Sequence, residues 1–126
     1  MRLSIMPCAA LLTLASTSAW AASDWVEVTR NHKETAIIFV DRSSIKRDGV
    51  LIRYWQRREY LSNPDGWAQS LELRETSCST TQDRLLHYTV HFKDGRISRH
   101  SISDTTWDYI DPDSVAMGVH EFLCGK

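Results

Sequence analysis

Cysteine is almost absent from this chain: its 126 residues hold three, Cys8, Cys78 and Cys124. No two are spaced C-x-x-C, so a structural zinc site, which needs four ligands at characteristic spacings, has no foundation here. A glycine-rich phosphate loop, an internal repeat and a low-complexity segment are missing too, which speaks against a nucleotide-binding loop or a repeat array. Charge of one sign is also lacking. The 15 Lys/Arg and 16 Asp/Glu give a formal net charge of −1 and are scattered along the chain, whereas a nucleic-acid binder needs a clustered basic surface. G-x-S-x-G and H-E-x-x-H do not occur. Asp111-Pro112-Asp113-Ser114 lacks the third acidic position, the central glycine and the terminal glutamate of a calcium loop, and helix capping accounts for it. The expectation is a protein without metal, cofactor or catalytic centre. A stand-alone hydrolase stays open only because a three-dimensional site need leave no local motif.

No apolar run reaches the roughly 20 residues of a membrane-spanning helix. The apolar stretch from Ile5 to Leu14 follows Met1-Arg2 and is broken by Ser16, Thr17 and Ser18, the layout of a secretory signal peptide. Ala19 and Ala21 occupy the two small-residue positions of an A-x-A site, which sets the expected cut between Ala21 and Ala22. Ile5-Met6-Pro7 ahead of Cys8 is not a lipobox, since a small residue should stand immediately before the cysteine. The organisation is therefore a signal peptide over residues 1–21 and one domain over 22–126, long enough to bury a core. Loss of Arg2 with the leader moves the formal charge from −1 to −2. The exported chain keeps Cys78 and Cys124, and two cysteines in an oxidising compartment pair by default. A loop of that length contributes roughly 4 kcal/mol through the unfolded state.

Period two dominates what remains. In V50-L-I-R-Y-W-Q-R-R58, Val50, Ile52 and Tyr54 share one face, and Arg53, Trp55 and Arg57 the other. In W67-A-Q-S-L-E-L-R-E-T-S-C78, Trp67, Leu71 and Leu73 are expected inward, with Ser70, Glu72 and Arg74 outward. In R84-L-L-H-Y-T-V-H-F92 the expected inward set is Leu86, Tyr88, Val90 and Phe92. Two further strands lie in W25-V-E-V-T29 and T35-A-I-I-F-V-D41, joined through Asn31-His32-Lys33. Asp48-Gly49, Asn63-Pro64-Asp65-Gly66 and Asp94-Gly95 mark turns. At the end, Asp111 is the expected N-cap, Pro112 the first helical position, Val115, Val119 and Phe122 the apolar stripe, and Gly125 the stop. The fold class is α+β: a meander of about six antiparallel strands, with one C-terminal helix packed on a face of the sheet and one disulfide.

Two surfaces are candidates for binding. Arg53, Trp55 and Arg57 alternate outward from a central strand, and Trp and Arg are enriched at interaction hot spots; a self-satisfied Arg–Trp ladder is the plainer reading. A two-residue Asp94-Gly95 loop would place His87, His91 and His100 together on the face opposite Phe92 as a second candidate. His87 and His91 would then stand about 13 Å apart along one strand, too far to share an ion.

Asp24-Trp25-Val26-Glu27-Val28, the segment V40-D-R-S-S-I-K-R-D-G-V50 leading into Arg53-Tyr54-Trp55, a cysteine at a strand end and the tail D111-P-D-S-V-A-M-G-V-H-E-F-L-C124 together resemble the surface-adhesin protein E family of Gram-negative bacteria. The likeness spans nearly all of residues 22–126. It implies an exported antiparallel sheet with a C-terminal helix tied back by one disulfide, and a cell-surface protein that binds host matrix proteins in some relatives. The missing lipobox departs from the lipid-anchored relatives. The expected function is an exported, non-catalytic, adhesin-like protein-binding module engaging extracellular-matrix or other envelope proteins. A soluble periplasmic accessory protein, such as an inhibitor of a cell-wall-attacking enzyme or an assembly partner, is the alternative. The expected partner is a protein, not nucleic acid; no integral membrane segment remains after cleavage, and a dimer is compatible with this reading.

Overall fold

The structure is a computed structural model that describes residues 22–125. The leader expected over residues 1–21, with its cleavage site and Cys8, lies outside the described residues. Eight strands follow in chain order: β1 (Trp25–Arg30), β2 (Ala36–Asp41), β3 (Lys46–Asp48), β4 (Leu51–Tyr60), β5 (Trp67–Ser77), β6 (Gln82–Phe92), β7 (Ile97–Ser101) and β8 (Asp108–Tyr109). One α-helix among the described residues, α1 (Val115–Cys124), follows them. The strands form one antiparallel sheet in the order β1-β2-β4-β5-β6-β7, the expected meander of six. The two short strands extend lines already present. β3 runs beside Leu51–Arg53 of β4 where β2 runs beside Gln56–Tyr60, and β8 continues β7 along β6.

Asp41-Arg42-Ser43-Ser44 explains the break between β2 and β3. The Asp41 carboxylate accepts hydrogen bonds from the Asp24 amide (2.8 Å), the Ser43 amide (3.0 Å) and the Ser43 hydroxyl (2.6 Å), which turns the chain through a single 3-10 turn and ties it to the start of β1. Ser44 Oγ accepts from the Trp55 amide at 2.9 Å, supplying a partner where the strand ladder is interrupted. Burial alone would raise the Asp41 pKa, but these hydrogen bonds outweigh it and hold the carboxyl below its ordinary value.

The helix lies on the face that carries Ile38, Val40, Ile52 and Tyr54, and its Val119 and Leu123 complete the buried core. The stripe is Val115, Val119 and Leu123, at i, i+4 and i+8; Phe122, expected in it, is 41% exposed. The N-cap is Ser114 rather than Asp111. Asp113 adopts φ +59°, so the chain reverses there instead of starting a helix at Pro112. Ser114 Oγ then accepts from the Met117 amide (3.1 Å) while its hydroxyl donates to the Asp111 carbonyl (2.7 Å). Gly118 lets the helix approach β1 closely, since a Cβ there would stand 3.2 Å from Thr29. Cys78, just after β5, is bonded to Cys124 at the last helical turn, with Cα atoms 5.7 Å apart.

The face assignment expected for β5 is reversed. Register places Arg74 opposite Tyr54, Glu72 opposite Gln56 and Ser70 opposite Arg58, so these polar residues share the helix side. Leu71 and Leu73 stand opposite Arg57 and Trp55 on the other side. The physical reason is that apolar surface changes face across the sheet: under the helix it comes from β2 and β4, and beyond the helix it comes from the opposite side of β4 and β5. In β6 the register slips between the pairs Leu73–His87 and Arg74–Leu85, so Leu86 is an extra, bulged residue rather than a member of the inward set.

Candidate functional site

The sheet face away from α1 is built on the odd-numbered residues of β4. Phe39, Arg57, Leu71 and Thr89 form one cross-strand row, and Trp55, Leu73 and His87 the next. Trp25, Phe39, Trp55, Leu71 and Leu73 are each only half-buried. The one α-helix among the described residues lies on the opposite face, so this aromatic and aliphatic surface is left open.

The three residues of the Arg53, Trp55, Arg57 stripe share this face but differ in state. Arg53 is half-exposed and donates through Nε and an NH2 group to Glu75 Oε2 at 3.1 and 3.0 Å. Trp55 meets His87 edge-on, with ring centroids 6.2 Å apart. Arg57 is not a free outward cation. Its guanidinium lies over both Trp25 (4.8 Å) and Phe39 (4.5 Å), it pairs with Glu59 at 3.2 Å, and its buried Nε has no acceptor among the described residues. Sequence alternation identified the stripe and missed Trp25, Phe39, Leu71 and Leu73, because which residues lie beside Arg57 depends on strand register.

The histidines do not share a face. His87 and His91 belong to the helix-free side, but His100 pairs with Tyr88 and stacks on its ring at 4.6 Å on the helix side. The hairpin loop is longer than two residues: the Phe92 amide donates to the Arg96 carbonyl (2.9 Å), the Gly95 amide donates to the Phe92 carbonyl (3.0 Å), and Gly95 sits at φ +90°. The pairing of His91 with Ile97 differs by one residue from the expected pairing with Ser98, and a one-residue slip moves each side chain to the other face. His87 is held by Ser101 and Thr89 hydroxyls at 3.2 and 3.3 Å.

Flanking the open face, Glu75 gathers two arginines. Its Oε1 accepts from Arg84 Nε at 2.9 Å, its Oε2 from Arg53, and the Arg84 guanidinium covers the Trp107 ring at 4.4 Å. Burial pushes the Glu75 pKa up, but hydrogen bonds from Arg84 and then Arg53 prevail and hold it below the ordinary carboxylate value. A carboxyl depressed in the folded state stabilises the protein above its unfolded pKa, about 4.3 for glutamate, and that stabilisation is lost as pH falls through the folded value. Thermal melts followed by circular dichroism between pH 5 and pH 2 should therefore show a falling melting temperature, with a shallower fall in Glu75→Gln, which has no carboxyl to titrate. Equal slopes in the two proteins would remove Glu75 from the acid limb.

Another polar pair is structural. His120 Nδ1 and Thr76 Oγ1 lie 2.7 Å apart, but at 7% and 1% exposure they are sealed between helix and sheet, where the pair fixes α1 rather than meeting a substrate.

A family model described as surface-adhesin protein E matches residues 25–125. The fold is similar to that of Haemophilus influenzae protein E. One solved structure of that protein shares 11% identity over 79% of this chain and 83% of its own, with a TM-score of 0.53. Another, from non-typeable Haemophilus influenzae, shares 11% identity over 84% of this chain and 78% of its own, with a TM-score of 0.56. No curated protein sequence matches the chain.

Proposed function

The chain belongs to the surface-adhesin protein E family of Gram-negative bacteria, and from that premise we propose that it is an exported, non-catalytic, adhesin-like module that binds a protein partner on its helix-free sheet face. The observation that carries this reading is the partly exposed apolar cluster of Trp55, Leu71 and Leu73 beside Arg57, on the face without the helix. A protein gains by burying such surface, and among the described residues no helix lies on it. Arg57 is already held between Trp25 and Phe39, so little side-chain entropy remains to be lost when a partner closes over it. Trp55 sits on the central part of this face, and central tryptophans flanked by arginine are typical anchors of protein interfaces.

Trp55→Ala tests the assignment. Its ring is partly buried and rests edge-on against His87, so removal should cost about 1–2 kcal/mol of stability, less than loss of a core tryptophan. Capture of immobilised extracellular-matrix proteins, measured by surface plasmon resonance, should weaken by about tenfold or more, the signature of a hot-spot residue. Tyr109→Ala, which removes an 80% exposed ring on β8, should leave capture unchanged. A Trp55→Ala protein that keeps the fold and captures equally well would move the site off this face.

A further inference from the structure

A cleft opens on the helix side of the sheet, beyond the edge of α1. It encloses about 280 Å³ and is lined by side chains of β4, β5 and β6, among them Arg58, Tyr60, Trp67, Glu72 and Tyr88. Small-molecule sites run from roughly 300 to 1,000 Å³, so this volume suits one or two amino-acid side chains better than a cofactor. Its aromatic wall is fixed: Tyr60 and Trp67 meet edge-on at 5.7 Å, Trp67 is braced by Phe92 at 6.5 Å, and Tyr88 is covered by His100.

Hydrogen-bond accounting selects the ligand. Glu72 is already engaged, since Oε1 accepts from Arg74 at 2.9 Å and Oε2 from Gln56 at 3.2 Å. Arg74 also donates to Asp83 at 3.0 Å, so it serves two carboxylates, and Arg58 supplies the second positive charge through a long ion pair with Glu72. Arg58 differs. Its Nε stands 3.9 Å from Glu72 Oε2, beyond hydrogen-bond reach, and is buried without an acceptor among the described residues. A guanidinium offers five N–H donors in a planar fork, and the terminal ones of Arg58, on a side chain that is 33% exposed and lines the cleft, have no hydrogen-bond partner among the described residues and can meet a carboxylate. The surplus in the cleft is therefore of donors.

We propose that this cleft is a second binding site, on the face opposite Trp55, that accepts a glutamate or aspartate side chain of a partner protein, its carboxylate on Arg58 and its methylenes against Tyr60, Trp67 and Tyr88. A free C-terminal carboxylate fits less well, because chain ends are gripped by consecutive backbone amides and the cleft is lined by side chains of paired interior strands. The assignment takes from the preceding section only that the partner is a protein.

The test is a titration of the 15N-labelled protein with three probes: N-acetylglutamate N-methylamide, its uncharged analogue N-acetylglutamine N-methylamide, and N-acetylalanine. The glutamate probe should shift the Trp67 indole and Arg58 Nε–H signals saturably, with a dissociation constant in the millimolar range usual for so small a ligand, roughly. The glutamine probe should bind at least about tenfold more weakly, as expected when a charge-assisted contact is lost, and N-acetylalanine should bind more weakly than the glutamate probe. Arg58→Gln should abolish the shifts while the fold persists, because Arg74 and Gln56 still hold Glu72. Should that variant fail to fold, discrimination among the probes by the parent protein decides. Absence of saturable shifts at Trp67, equal binding of the glutamate and glutamine probes, or preference for N-acetylalanine would overturn the proposal. The Trp55 indole should not move in any titration, so failure of this site leaves the helix-free face untouched, and loss of capture in Trp55→Ala leaves this site untouched.

Discussion

Arg74→Met is expected to destabilise the protein by about 3–5 kcal/mol, the usual cost of removing one partner from a buried charge network. Arg74 is largely buried opposite Tyr54 and donates to Glu72 at 2.9 Å and to Asp83 at 3.0 Å. Burial opposes its charge, but Tyr54, Glu72 and Asp83 together raise its pKa above that of free arginine, and burial likewise pushes the Tyr54 hydroxyl well above its ordinary value. Methionine would fill much of the volume while leaving Asp83 without a cation and Glu72 with only Arg58, at 3.9 Å, in a largely buried setting. The price of that arrangement is desolvation rather than lost attraction, which gives the prediction a second arm. Adding Glu72→Gln and Asp83→Asn to Arg74→Met should recover a large part of the loss, since the orphaned charges are then gone. Urea titrations of the three proteins measure all of this; a loss below 1 kcal/mol in Arg74→Met would show that the network carries little of the stability.

Cys78→Ser is expected to lower stability by about 4 kcal/mol, because the bond between Cys78 and Cys124 closes a loop with a sequence separation of 46 and so restricts the unfolded chain. For a domain of this size that corresponds to a fall in Tm of roughly 15–30 °C. The helix should remain docked at room temperature, since Val119 and Leu123 still pack on Ile38, Val40, Ile52 and Tyr54 and the His120–Thr76 hydrogen bond needs no covalent support. Reduction of the parent protein by a small dithiol should reproduce the loss, whereas Phe122→Ala, at an exposed helical position, should change little. Melting by differential scanning calorimetry under oxidising and reducing conditions separates these cases. If Cys78→Ser and the oxidised parent melt together, the cross-link does not carry the predicted share.

How much of this was legible without coordinates follows the range of the interactions involved. The positions of β1, β2, β4, β5 and β6 could be read because alternation is local, whereas the three-residue β3 was too short to show it; the turns at Asp48-Gly49, Asn63–Gly66 and Asp94-Gly95 could be read because left-handed backbone conformations favour glycine at their ends. The pairing of Cys78 with Cys124 was legible because no other cysteine remains after residue 21. The helix was legible at its end, where Gly125 follows it, but not at its start: whether Asp111 or Ser114 caps it depends on the left-handed turn at Asp113, which the order of polar residues does not specify.

Sequence alone thus determined the α+β class, the meander, the staple and the presence of an Arg53, Trp55, Arg57 stripe on one face of β4, all of which depend on residues near one another in the chain or on simple counting. Tertiary structure alone decided what each face meets. It set Arg74 and Glu72 under the helix side and Leu71 and Leu73 on the open side, separated His100 from His87 and His91 through one additional loop residue, pressed Arg57 between Trp25 and Phe39, and left Arg58 in a cleft without an acceptor. The reason is that side-chain direction along a strand repeats every two residues, so alternation sorts residues into two sets. Which set is covered depends on cross-strand register and on where one helix comes to rest, and a shift of a single residue exchanges the two.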